Sequence, residues 1–135
     1  AYEGPALVLA YSHCIAHGYD MRDGMKQQHR AVASGYWPLF RYDPRMCKSG
    51  MNPFRLDSTR PRLPVEEFAY RELRYRVLTQ TRPEEARMLM RQAQAAANER
   101  YRLYEDMAAR DGTRFHPFWQ DEVVTRYEIP AGAAQ

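Results

Sequence analysis

The chain has 135 residues, with 20 Lys plus Arg against 17 Asp plus Glu and a formal charge of +3. That length fits one small domain or a piece of a larger one, and so slight a positive balance does not by itself imply a polyanionic partner. Leu, Ile, Val and Phe supply only 22 residues, yet ten Tyr and a low net charge argue against disorder and for elements that bury themselves partly against something else.

The longest apolar run, Ala6 to Tyr11, falls far short of the ~18 residues that a membrane span needs. No Lys or Arg precedes it, so it does not read as a secretory signal, and the expected compartment is the cytoplasm. Two cysteines, Cys14 and Cys47, do not make a disulfide scaffold. In a reducing compartment such a cysteine is buried, reactive or a metal ligand. An opening on Ala1 that reaches an apolar strand almost at once raises the expectation of a missing upstream part.

Gly4-Pro5 is turn punctuation, and Ala6-Leu-Val-Leu-Ala10 reads as a strand buried on both faces of a parallel sheet. Ser12 to Gly18 forms the loop that leaves it. Met25 to Ala33 is predicted to be a short helix with Met25, His29, Val32 and Ala33 toward one side, stopped by a left-handed Gly35. Tyr36 to Tyr42 is aromatic and extended, and its Pro38 restricts it to an edge or irregular strand. Strand, helix, strand in this order suggest a crossover unit. Residues 43–64, rich in proline, read as an ordered extended arm anchored by Phe54, Leu56 and Leu63. There Arg41, Arg45, Lys48, Arg55, Arg60 and Arg62 outnumber Asp43 and Asp57.

From Val65 the pattern is helical. Pro64-Val-Glu-Glu and Thr81-Arg-Pro-Glu-Glu both carry helix-start signals, Pro in the first turn and carboxylates at the positive end of the dipole. The first helix is predicted to run to about Leu78. The second carries Ala86, Leu89, Met90, Ala93, Ala97, Tyr101, Tyr104 and Met107 as one apolar stripe and ends at Asp111-Gly112. The boundaries are thus 1–42 for the α/β part, 43–64 for the arm, 65–110 for the helical segment and 111–135 for a tail. One or two strands cannot make a stable sheet alone, so either residues 6–10 belong to a sheet contributed elsewhere or the strand reading fails.

The densest chemistry is Ser12-His13-Cys14-Ile15-Ala16-His17, past the end of the first strand, where ligand sites of open α/β sheets lie. Cys14 reads as a thiolate ligand, a nucleophile or an inert buried thiol. His13 and His17 would share zinc only on a helix, which Gly18 opposes, and the ligand set is incomplete. Cys47 sits among cations that would lower its pKa, with an exposed, incidental thiol as the simpler reading. The basic arm with Tyr42 and Phe54 is able to meet phosphates, but no nucleic-acid motif accompanies it, so a partner subunit is the expected contact and nucleic acid is not. Glycine-rich phosphate loops, paired catalytic carboxylates and Cys-x-x-Cys are absent.

Three blocks closely resemble one family: Ala10-Tyr-Ser-His-Cys-Ile-Ala-His-Gly18, Ala31-Val-Ala-Ser-Gly-Tyr-Trp-Pro-Leu-Phe-Arg-Tyr-Asp-Pro44 and Asn52-Pro-Phe-Arg-Leu-Asp-Ser58. The family is the pyruvate:ferredoxin (flavodoxin) oxidoreductases, at the C-terminal end of their thiamine-diphosphate domain. The likeness covers about residues 3–110, taking in Pro64-Val-Glu-Glu-Phe68 and Pro83-Glu-Glu-Ala86. It implies an α/β fragment in which one or two strands and a crossover helix come from the parallel thiamine-diphosphate-binding sheet, followed by the arm and a C-terminal helical pair.

The resemblance also implies the activity of the whole enzyme: oxidative decarboxylation of pyruvate to acetyl-coenzyme A, with electrons passing through [4Fe-4S] clusters to ferredoxin or flavodoxin. Thiamine diphosphate and Mg2+ are the other cofactors. By position, Cys14 resembles the fourth thiolate of the cluster nearest the thiamine, with the other ligands outside this chain. Ser12 and His13 flank it as hydrogen-bond donors that would raise the cluster potential. The family's Gly-Asp-Gly thiamine motif is absent, so the chain is expected to be a fragment that is inactive alone, binds no cofactor by itself and works with the rest of the oxidoreductase and its dimer mate. Its unsupported apolar strand predicts self-association of the isolated piece. The alternative is a free-standing helical protein-interaction module that uses the Tyr-rich stripe and the basic arm.

Overall fold

A computed structural model describes residues 4–112. Five α-helices and two short strands follow one another: α1 (Gly24–Ala33), β1 (Phe40–Tyr42), α2 (Arg45–Lys48), β2 (Phe54–Leu56), α3 (Val65–Ala69), α4 (Leu73–Thr81) and α5 (Pro83–Ala109). Two single-turn 3-10 segments, Ile15–His17 and Met21–Asp23, precede α1. The expected tail, residues 111–135, lies outside the described residues from 113 onward.

The sheet departs from expectation. β1 pairs antiparallel with β2, in the register Phe40↔Leu56, Arg41↔Arg55 and Tyr42↔Phe54. Residues 6–10 belong to no strand among the described residues, and Leu7, Val8 and Leu9 are 83%, 85% and 67% exposed rather than buried on both faces. The predicted crossover therefore does not form within this stretch. A strand needs a hydrogen-bonding neighbour, and the only described one, β2, has already paired with β1.

The arm is less extended than its prolines suggest, since it holds α2 and β2. Phe54 anchors it as read from the sequence: it is buried and stacks on Phe40 with ring centroids 5.3 Å apart. Most of the arm's cations are taken internally. Arg41 donates to Asp57 at 2.7 Å, Arg45 donates to Asp43, and Arg60 donates to Glu105 on α5 at 2.9 Å. Arg41 holds the Asp57 carboxyl below the usual carboxylate range by its hydrogen bond.

α1 starts and ends within a residue of expectation, and Gly35 adopts φ +71° just beyond it, a left-handed cap conformation that suits glycine. Its inward face is a different one. Gln27 and Ala31, one turn apart, are buried, whereas Met25 is 83% exposed. The small Ala31 lets α1 approach α3 closely, and Gln27 is drawn in by polar partners that a hydrophobic pattern does not register. The core cluster is Ala31, Phe68 and Ala69, wrapped by Tyr11, Tyr36, Trp37, Tyr75 and Met90. This aromatic enclosure compensates for the low aliphatic content.

The helix predicted from 65 to 78 breaks at 70–72 into α3 and α4. α5 follows its start signal, with Pro83 at the first turn and Glu84 and Glu85 behind it. It buries Ala86, Ala97 and Tyr101 of the predicted stripe, while Leu89 and Ala93 stay exposed. Two polar ties fix its position. Gln94 Oε1 accepts from the Val65 amide at 2.8 Å, which satisfies an otherwise orphaned donor at the start of α3. At the far end, the Asn52 side-chain amide donates to the carbonyls of Met107, Ala108 and Arg110, closing the C-terminus of α5 on the arm.

Candidate functional site, a thiol on a pinned loop

The loop from Tyr11 to Gly18 runs across one side of the aromatic core. Its first residue is held twice: Gln28 of α1 donates to the Tyr11 carbonyl at 3.0 Å, and the Tyr11 ring lies 5.5 Å from Trp37 and 5.7 Å from Tyr36. Burial pushes the Tyr11 phenol up, with the Glu72 charge adding to it. The loop then turns outward. Cys14 has extended backbone, φ −136° and ψ 143°, and its thiol is free and exposed. The Cys14 carbonyl accepts the His17 amide at 2.9 Å, which closes the 3-10 turn behind the sulfur.

The end of the loop is fixed as firmly. Gly18 has φ +69°, and a Cβ built on it would lie 2.5 Å from the Leu73 Cβ. Only glycine fits this angle and this approach together. The Gly18 carbonyl accepts the amide of Leu73, the first residue of α4, at 2.8 Å. The loop thus supplies the acceptor for a helix-terminal donor, and the helical segment in turn holds the loop.

Beneath this contact lies Glu72, with 0% of its surface exposed. Its Oε1 accepts from Gln27 Nε2 at 3.0 Å and its Oε2 from Arg74 Nε at 2.6 Å. His17 Nδ1 lies 3.7 Å from the same Oε2, within ion-pair reach but longer than a hydrogen bond. Gln27 also donates to the Phe68 carbonyl at 3.0 Å. A buried carboxylate is tolerable only with such partners.

The residues singled out from the sequence do not converge. Ser12 donates to the His13 carbonyl at 3.1 Å. His13 meets the Tyr19 ring edge-on at 5.2 Å, and its Nε2 lies 2.7 Å from where a Cβ on Gly24 would stand. His17 turns toward Glu72 instead. Shared zinc binding by His13 and His17 has no support here, since the turn is 3-10 rather than α-helical. Among the described residues, no group of three or more His, Cys, Asp or Glu side chains is arranged to hold a metal ion. An exposed thiol on a rigid turn does fit a [4Fe-4S] cluster as a single thiolate corner, and no more than that. Cys47 is half-buried in α2 rather than exposed. Burial pushes the Tyr42 phenol up, and its neighbour Cys47 adds to the shift.

Two neighbours escaped the sequence reading. One is Tyr19, whose hydroxyl donates to Met21 Sδ at 3.2 Å. Its phenol is pushed up by desolvation and then by the charges of Cys14 and Glu72. The other is an open groove of about 810 Å³ beside the loop, lined by residues that include Tyr19, Gln27, Arg30, Glu67 and Arg71. Residues this far apart in sequence give no local signal. No helix among the described residues is long and apolar enough to cross a membrane.

No protein-family model matches the chain. Among curated proteins, it is similar to the pyruvate-flavodoxin oxidoreductase of Trichormus variabilis, 47% identical over 114 residues that cover 84% of this chain and 10% of that protein. The pyruvate:ferredoxin oxidoreductase of Moorella thermoacetica is 40% identical over 107 residues, covering 79% of this chain and 9% of that protein. The mitochondrial pyruvate dehydrogenase [NADP(+)] of Euglena gracilis is 37% identical over 118 residues, covering 84% of this chain and 6% of that protein. The chain spans about one tenth of the length of these pyruvate-flavodoxin and pyruvate:ferredoxin oxidoreductases.

Proposed function

We propose, from a chain that matches a fragment of the pyruvate-flavodoxin and pyruvate:ferredoxin oxidoreductases, that it serves such an enzyme in the oxidative decarboxylation of pyruvate to acetyl-coenzyme A. The observation that carries this is 40–47% identity over most of the chain to oxidoreductases of these names. The relatives' names differ in acceptor, flavodoxin, ferredoxin or NADP+, while the identity in this stretch persists. The stretch therefore serves what those enzymes share, the pyruvate half of the reaction, rather than the choice of acceptor.

In this reading Cys14 gives one thiolate to a [4Fe-4S] cluster whose other ligands lie outside this chain, and Ser12 and His13 would tune it through hydrogen bonds once turned from the His13 carbonyl and the Tyr19 ring that they meet here. Such a cluster supplies one-electron carriage. Thiamine diphosphate, Mg2+ and coenzyme A are bound by the remainder of the oxidoreductase and its dimer mate, and ferredoxin or flavodoxin accepts the electrons in the cytoplasm. Leu7, Val8 and Leu9, exposed here, add residues 6–10 as a strand to the parallel thiamine-binding sheet of the remainder. Without that sheet the isolated piece self-associates through the same edge.

The test uses the full-length protein that contains this chain, under anaerobic conditions, with pyruvate, thiamine diphosphate, Mg2+, coenzyme A and a viologen dye. Pyruvate-dependent dye reduction is expected from the full-length protein and none from the 135-residue chain. A full-length protein that fails to oxidise pyruvate would overturn the reading, and so would activity from the chain by itself.

A further inference from the structure

We propose that Glu72 is a positioning residue for Cys14, holding the loop that presents the thiol through the N-terminus of α4. This rests on the reading of Cys14 as a cluster ligand. Three observations carry it. First, Glu72 carries a carboxylate at a position that is 0% exposed, a costly placement that only its partners offset. Second, residues 70–72 interrupt a stretch whose local preferences are helical, and Glu72 has extended backbone, φ −104° and ψ 130°. That break turns the Leu73 amide out of any helical bond and toward the Gly18 carbonyl, which accepts it at 2.8 Å. Third, the carboxylate ties separate elements together: Gln27 of α1, Arg74 of α4 and, at 3.7 Å, His17 of the loop itself.

The loop is therefore pinned at Tyr11 by α1 and at Gly18 by α4, with Cys14 between the two pins. A metal–ligand distance tolerates only about ±0.2 Å, so the anchoring of such a short loop sets how well its sulfur meets a cluster. Groups that hydrogen-bond a metal ligand directly change metal affinity by roughly ten- to a hundredfold when removed, and Glu72, which acts on Cys14 only through the loop, is expected at or below the lower end of that range.

The experiment compares Glu72→Gln, His17→Ala and Cys14→Ser with the unaltered full-length enzyme, purified anaerobically. It reads iron release to a chelator, the midpoint potential of the cluster whose signal Cys14→Ser removes, and thermal unfolding. Glu72→Gln keeps the volume and the bond to Gln27 but loses the charge that holds Arg74. Iron release is expected to quicken severalfold, up to roughly tenfold. The midpoint potential is expected to move to more positive values, because a buried negative charge favours the oxidised cluster. His17→Ala, at a partly exposed residue, is expected to quicken iron release in the same direction by less. A role confined to stability would lower the melting temperature and leave potential and release in the folded enzyme unchanged, and that result overturns the proposal. Should Glu72→Gln not fold, His17→Ala decides, and unaltered release overturns the proposal. Unchanged iron in Cys14→Ser would sink the ligand reading itself, whereas iron lost there with Glu72→Gln indistinguishable from the unaltered enzyme sinks only the role of Glu72.

Discussion

Gly18→Ala is expected to destabilise the fold by about 2–4 kcal/mol, from a left-handed conformation that an L side chain adopts at a cost and from forced overpacking. Both contributions are visible at one residue: φ is +69°, and the added Cβ would stand 2.5 Å from the Leu73 Cβ. The obstructing atom is rooted on the backbone of α4 and has no rotamer to escape into. Relief must come from separating the loop from α4, which also stretches the bond from the Leu73 amide to the Gly18 carbonyl. Unfolding in urea, followed by circular dichroism, should show a lower midpoint with the slope unchanged. Gly18→Asn separates the two causes. Asn accepts the left-handed angle but keeps the Cβ, so it should recover only the smaller part of the loss. Full recovery by Asn, or an unshifted midpoint for Ala, would contradict the close-contact explanation.

Phe68→Ala is expected to cost about 3–5 kcal/mol, the usual range for emptying a well-packed aromatic site. Phe68 is 0% exposed and lies at the centre of the ring cluster, with the Tyr36 centroid 4.4 Å away and that of Tyr11 6.4 Å away. The enclosing tyrosines cannot collapse freely into the space, because Tyr36 and Tyr75 are joined through their hydroxyls at 3.3 Å and the Tyr11 carbonyl is held by Gln28. Phe68→Leu, which leaves a smaller void, should cost distinctly less in the same urea series. A loss for Phe68→Ala below about 1 kcal/mol would mean that the site relaxes, and that the aromatic shell is not the core of this stretch.

What the sequence made legible was whatever its local chemistry dictates. Pro83-Glu84-Glu85 placed the start of α5, the spacing of Ala86, Ala97 and Tyr101 placed its buried face, and Gly35 marked the end of α1. The loop around Cys14 was also legible, because an apolar run followed by His, Cys and His is uncommon. The rest depends on partners distant in the chain. Residues 71–74, Arg-Glu-Leu-Arg, are good helix formers, so nothing local announces that Glu72 will leave the helix to meet Gln27, 45 residues away. Hydrophobic periodicity set Met25 and His29 inward on α1, but the buried residues are Gly24, Ala31 and the polar Gln27, the last held there by hydrogen bonds that such a pattern does not weigh. β2 is three residues long and follows Pro53, too short for an alternation to be read. Ala6 to Ala10 has the composition of an interior strand while its surroundings in this stretch leave it uncovered, so composition pointed to a sheet that these residues do not themselves contain.

Whether the thiol of Cys14 is a cluster ligand is decided by Cys14→Ser in the full-length protein purified without oxygen, with iron per chain and the electron paramagnetic resonance spectrum of the reduced protein both measured. Serine keeps the size and the loop but replaces the soft thiolate that such clusters require. The expected result is an iron content lower by one cluster, loss or alteration of one reduced-cluster signal, and pyruvate-dependent dye reduction abolished in a protein that still folds. Iron content and spectrum identical to those of the unaltered enzyme would contradict it.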